Sequence, residues 1–106
     1  MKLRTDLEPA RVREGELLWT PDPRQVANTR IAEYMRWLES ERGLAFDDYA
    51  ALHRWSVSDL DAFWRSIFDW FDVRSSTPVG AVLGRREMPG AEWFPGVRLN
   101  YAEHVL

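Results

Sequence analysis

Between Trp55 and Val73 the chain reads WSVSDLDAFWRSIFDWFDV, and its apolar positions recur with a helical period. Leu60, Phe63, Trp64, Ile67, Phe68 and Phe71 fall at the i, i+3, i+4, i+7 spacing of one face, with Asp59, Asp61, Arg65, Ser66 and Asp69 on the other. With Trp70 at its edge the apolar arc is roughly 160° wide, well beyond a coiled-coil seam, so such a helix needs neighbours on more than one side. The pattern predicts a helix over residues 57–72. Ser56 would cap the N–H of Asp59, and Trp55 and Leu60 stand at the positions of a hydrophobic staple. Val73, Ser75, Ser76, Thr77 and Pro78 end the period.

The same reading orders the rest of the chain. Residues 1–18 mix charge with scattered Leu and Val and form an extended or partly disordered lead-in to a helical domain over 19–84. At LWTPDP, Asp22 is an N-cap, Pro23 suits the first helical position and Gln25 completes a capping box. A long helix over 23–42 follows, with Val26, Ala27, Ile31, Tyr34, Trp37 and Leu38 on one face and Gly43 as its stop. Asp47 caps a shorter helix carrying Tyr49, Leu52 and His53 and ending near Trp55. Thr77-Pro78 predicts a brief helical turn through Val82 and Leu83, halted by Gly84. Residues 85–99, with Pro89-Gly90 and Pro95-Gly96, form a loop in which Trp93 and Phe94 are apolar anchors. Asn100 and Glu103 then specify a new capping box, with Leu99 and His104 as its staple. That helix has six residues before the sequence ends, against the roughly 12–15 an isolated helix needs, so 100–106 is expected to lead into a domain absent from the sequence. The fold class is all-α, with two main helices and one or two short ones, then an irregular loop.

Six Trp and five Phe supply a core, and a chain of 106 residues makes one domain at most. A net charge of −3 argues against nucleic acid and against an anionic membrane as partners. With no cysteine there is neither disulfide nor thiolate chemistry, no apolar run reaches the length of a membrane span, and MKLRTDLEPARV lacks the apolar core of a signal peptide. The expected location is the cytoplasm.

No residue emerges as catalytic, cofactor-binding or metal-binding. His53 and His104 stand in no metal-ligand spacing and read as structural; Asp47-Asp48 and Glu39/Glu41 read as caps and solvated faces rather than a carboxylate dyad. Ser75-Ser76-Thr77 lacks the phosphate-loop pattern, and Pro78 removes an N–H such a loop would use. Arg85-Arg86 reads as a solvated turn, and the Trp/Phe stripe as core rather than a ligand cage.

The end of the chain, MPGAEWFPGVRLNYAEHVL, resembles the N-terminal region of acetoacetyl-CoA synthetases (acetoacetate–CoA ligases), members of the adenylate-forming acyl-CoA synthetase superfamily. The earlier LWTP, the RWL after it and the WSV-DL-AFW-FDWFDV run agree in order and spacing. Trp93, Phe94, Gly96, Leu99 and Asn100 are similar in acetyl- and propionyl-CoA synthetases too, whereas Tyr101-Ala102-Glu103-His104 tilts the resemblance towards acetoacetate. The resemblance implies an AMP-forming ligase that uses ATP, Mg²⁺ and CoA: the carboxylate attacks the α-phosphate to give an acyl-adenylate and pyrophosphate, and CoA then displaces AMP. The phosphate loop, the Thr-Glu adenylate motif, the ribose-binding Asp and the acylation Lys of such enzymes fall outside these residues. What remains is a structural cap on an α/β adenylating domain, with Trp93, Phe94, Asn100, Tyr101 and His104 as its docking residues. Two simpler readings stand beside it: Trp93 and Phe94 only close the domain's own core, or the chain is a stand-alone helical interaction module. Oligomeric state and acyl preference are not legible.

Overall fold

The computed structural model describes residues 11–106, so residues 1–10 of the expected lead-in lie outside the described residues. Five helices make up the fold, and no strand forms among the described residues: α1 Pro23–Ala27, α2 Arg30–Arg42, α3 Tyr49–Ser58, α4 Leu60–Trp70 and α5 Tyr101–Val105. The all-α expectation holds, with different divisions.

The helix expected over 23–42 is two helices. Asp22 and Gln25 do form the reciprocal capping box, with Oδ1 of Asp22 accepting from Gln25 N–H and Oε1 of Gln25 from Asp22 N–H, each at 2.9 Å. Asn28 ends α1 and Thr29 starts α2: the Thr29 hydroxyl donates back to Val26 C=O at 2.8 Å and accepts from Ala32 N–H at 3.2 Å. The hydrophobic period runs through this break without a fault, which is why the pattern alone joins the two. Gly43 closes α2 in the left-handed region at φ 68°, as its sequence position predicts.

The next boundary also shifts. Asp48, not Asp47, caps α3, accepting from Ala51 N–H at 2.8 Å. α3 continues past Trp55 to Ser58, so Ser56 lies inside it and donates to His53 C=O instead of capping α4. Asp59 alone separates the two helices and caps α4 through a 3.2 Å bond from Ala62 N–H. An aspartate with helical residues on both sides serves as a cap better than a serine already committed to the preceding turn, because only the former has non-helical backbone free to aim its side chain.

Tyr34 and Leu38 of α2, Leu52 of α3 and the partly buried Phe63, Ile67 and Trp70 of α4 form the core. Val26 and Ile31, expected on the buried face, remain exposed. Ser66, expected on the polar face, is 1% exposed: its hydroxyl donates to Phe63 C=O at 2.5 Å and accepts the hydroxyl proton of Tyr34. Arg42 closes the far end of the helix pair, lying 4.8 Å from the Trp37 ring and pairing with Asp69, which also takes Arg65 at 3.2 Å.

No helix forms at Thr77–Leu83. Pro78, Gly80 and Gly84 are poor helix formers and Val79 and Val82 favour extended backbone, so the segment runs alongside residues 92–99 instead. Single antiparallel bridges join Ser75 to Leu99 and Leu83 to Trp93, with Gly84 N–H donating to Glu92 C=O at 2.9 Å and Ser76 N–H to Arg98 C=O at 3.0 Å. Val82 and Leu83 are buried in this way.

Candidate functional site

The helix that carries the aromatic stripe, α4, reaches the surface on both flanks. On one side an open groove of about 290 Å³ runs past Ile31, Tyr49, Phe63, Trp70 and Phe71. On the other, a groove of about 330 Å³ is bounded by Trp64, Phe68, Trp93, Phe94, Val97 and Leu99. The second groove contains the sequence-predicted anchors. Trp93 meets Trp64 edge-on at 5.6 Å between ring centres, and Phe94 stacks on Phe68 at 5.2 Å. Phe94 holds this position at φ 46°, in the left-handed region that bulky residues rarely occupy, immediately before the Pro95-Gly96 turn. The two rings therefore do contribute to this domain's own packing, yet Trp93 is still 45% exposed.

A carboxylate that the sequence pattern assigned to the solvent face fixes the loop behind those rings. Asp61, in the first turn of α4, accepts Leu83 N–H through Oδ1 at 3.1 Å and pairs with Arg86 through Oδ2. Arg86 is thus part of a tie rather than a solvated turn. Arg85 reaches Glu87 at 3.9 Å, a weak surface pair. Nothing in the period distinguishes Asp61 from Asp59 or Asp69, because its partners lie more than twenty residues downstream.

Asn100 caps α5 by accepting Ala102 N–H at 3.0 Å. His104 is not a staple partner of Leu99. Its Nε2 accepts Arg74 N–H at 2.7 Å, which puts the ring proton on Nδ1, donating to Asn100 C=O at 2.9 Å. α5 is thereby tied back to the stretch following α4. Tyr101, by contrast, is 83% exposed, and Leu99 and Val105 are also largely open. Of the five docking candidates, Trp93 and Phe94 come together on the α4 groove, Asn100 and His104 hold α5, and Tyr101 points away from the domain.

The chain matches the family described as acetyl-coenzyme A synthetase N-terminus over residues 49–105, from the first residue of α3 to the last of α5. It belongs to that family. Its relatives include the acetoacetyl-coenzyme A synthetase of Rhizobium meliloti, 37% identical over 89 residues that make up 84% of this chain and 14% of that protein. The acetoacetyl-CoA synthetase of Danio rerio is 31% identical over 104 residues, 96% of this chain and 15% of the relative. The solved acetoacetyl-CoA synthetase from Streptomyces lividans superposes with a TM-score of 0.76 at 55% identity, over 81% of this chain and 14% of that one. The chain thus spans about one seventh of the length of the relatives it matches. In this member of the acetyl-coenzyme A synthetase N-terminus family the matched segment contains both rims of the Trp93 groove and the whole of α5.

The groove past Trp93 is walled by aromatic and aliphatic side chains, whereas the one past Trp70 also takes in Arg30, His53 and Ser56; among the described residues no three His, Cys, Asp or Glu side chains gather as metal ligands. No described helix is long and apolar enough to cross a membrane.

Proposed function

We propose that this chain works as the N-terminal cap of a cytoplasmic, AMP-forming acid–CoA ligase whose substrate is acetoacetate. The observation that carries the reading is the 55% identity and TM-score of 0.76 to a solved acetoacetyl-CoA synthetase, and two further acetoacetyl-CoA synthetases match 84% and 96% of the chain. All the relatives described above are ligases, which favours this reading over a stand-alone interaction module. The remaining six sevenths of such an enzyme would hold ATP, Mg²⁺ and CoA and carry out the adenylation and thioesterification, as the resemblance to these ligases implies. This chain's share is structural. The Trp93–His104 segment docks onto the adenylating domain, covering the open groove along α4 and the outward face of α5. Exposure of Tyr101 and of half of Trp93 supports that assignment, because both are apolar surfaces with no cover in this domain.

The family description names acetyl-coenzyme A synthetase, so acetate is the competing substrate. ATP–pyrophosphate exchange by the native protein decides between them. Exchange that depends on acetoacetate and is weak with acetate is the expected result; exchange driven by acetate or propionate alone would move the chain to the acetate branch, and none with any short acid would remove the ligase reading.

A further inference from the structure

The apolar residues on α4 have partners on at least one side, but Leu17, Leu18 and Trp19, before α1, stand open among the described residues. Leu17, Leu18 and Trp19 are 79%, 74% and 69% exposed, three large apolar side chains in succession in a stretch with neither helix nor strand. Bound in extended form, such a segment would turn successive side chains opposite ways, with Leu17 and Trp19 on one apolar face and Leu18 on the other. A segment apolar on both faces suits a slot with two walls, not a flat surface. Its backbone is equally unclaimed: among the described residues, no N–H of Leu17, Leu18, Trp19 or Thr20 donates to another group, and the segment's one turn bond is Glu16 N–H to Arg13 C=O at 3.1 Å. The root of the segment, however, is fixed. Pro21, Pro23 and the Asp22–Gln25 capping box set the direction in which it leaves α1.

We propose that Glu16–Thr20 is a second docking element, a strap that lies in extended form in an apolar slot on the remainder of the ligase and pairs its backbone there. The proposal rests on the ligase reading and adds to the Trp93–His104 contact a separate one on the other side of the helical core in sequence. Two observations point to that occupant. The match to the Danio rerio enzyme covers 104 residues, 96% of this chain, so it takes in the strap as well as the helices. And this chain is 14–15% of the length of its relatives, so nearly all the surface of such an enzyme lies outside the described residues. Polar residues bracket the apolar triplet, Glu14 and Glu16 before it and Asp22 after, which limits the slot to a few residues' length.

Amide hydrogen exchange on the full-length ligase tests this at two places at once. Amides of Leu17–Thr20 are expected to exchange at least about tenfold more slowly than an unstructured chain, at a rate that does not change with protein concentration, and L17S/W19S is expected to abolish that protection while Tyr101–Val105 stay slow. Free exchange at Leu17–Thr20 with slow exchange at Tyr101–Val105 would overturn the strap and leave the cap reading standing. Free exchange at both would overturn both. Protection that appears only as concentration rises would assign the strap to a second copy of the chain and overturn the proposal. Protection that survives L17S/W19S would show that the apolar side chains do not hold the segment, which also overturns it.

Discussion

Among the described residues the hydroxyls of Tyr34 and Ser66 are the one polar pair placed inside the core, at 5% and 1% exposure, and they are satisfied there through each other and Phe63 C=O. Removing one partner strands the other. Ser66→Ala should cost about 1–3 kcal/mol in urea unfolding because the Tyr34 hydroxyl loses its acceptor in a buried site, and Tyr34→Phe should cost about 1 kcal/mol. The double variant should be no worse than Ser66→Ala alone, since no orphaned group then remains. Burial, outweighing the Ser66 hydrogen bond and the Arg42 charge, raises the Tyr34 pKa above the usual tyrosine value. The folded state therefore favours the neutral phenol. Its contribution to stability is complete below the ordinary tyrosine range and is lost as pH rises through the raised value, so stability should fall at alkaline pH more steeply in the wild type than in Tyr34→Phe. Unfolding curves at about pH 8 and about pH 11 read this directly. In the sequence Ser66 sits about 40° beyond Trp70 at 100° per residue, just outside the apolar arc. The period could place it near the core, but only Tyr34 opposite could draw it in.

At the level of elements, the sequence was most informative where a signal is local. The Asp22–Gln25 box, the Gly43 stop and the Asn100 cap all occur at their expected positions because each involves residues two to four apart. It was least informative where two helices abut. Thr29 and Asp59 are boundaries that leave the hydrophobic period intact, and the caps they make are indistinguishable in sequence from a neighbouring Asn28, Ser56 or Ser58. The difference is measurable: Asp59→Ala should destabilise the domain by about 1 kcal/mol, whereas Ser56→Ala should change stability by less than about 0.5 kcal/mol. Residues 77–83 were misassigned for another reason. Their extended course depends on pairing with residues 92–98 and on the Asp61 tie to Leu83 N–H, contacts made across about twelve to twenty-two residues. Asp61→Ala should loosen that pairing at a cost of about 1 kcal/mol, with Asp61→Asn intermediate because the amide oxygen can still accept from Leu83 while the Arg86 pair is lost. Amide exchange at Leu83 and Gly84 would follow the loss locally.

For the whole molecule, an aromatic-rich stripe with too little domain to cover it is the feature that links fold to function. The width of that stripe was legible from spacing, and so was the need for neighbours on more than one side. Which residues stay exposed was not, because exposure depends on how the 92–99 segment folds back. Tyr101 isolates the docking claim from this domain's own stability. Being 83% exposed, it can change to Ser with little effect on the helical core, so a fall of about 1 kcal/mol or more in the stability of the full-length ligase would arise at the interface. Trp93→Ala cannot separate the two, since it also removes the Trp64 contact. The central claim, that these residues are the cap of a larger ligase, is tested most directly by the intact mass of the native protein, captured from its own cells with an antibody to residues 11–106. The account expects a polypeptide about seven times the 12.5 kDa of this sequence, in line with the 14% share it makes up of its relatives. A mass near 12.5 kDa would contradict it, leaving a short protein whose aromatic face needs a separate partner.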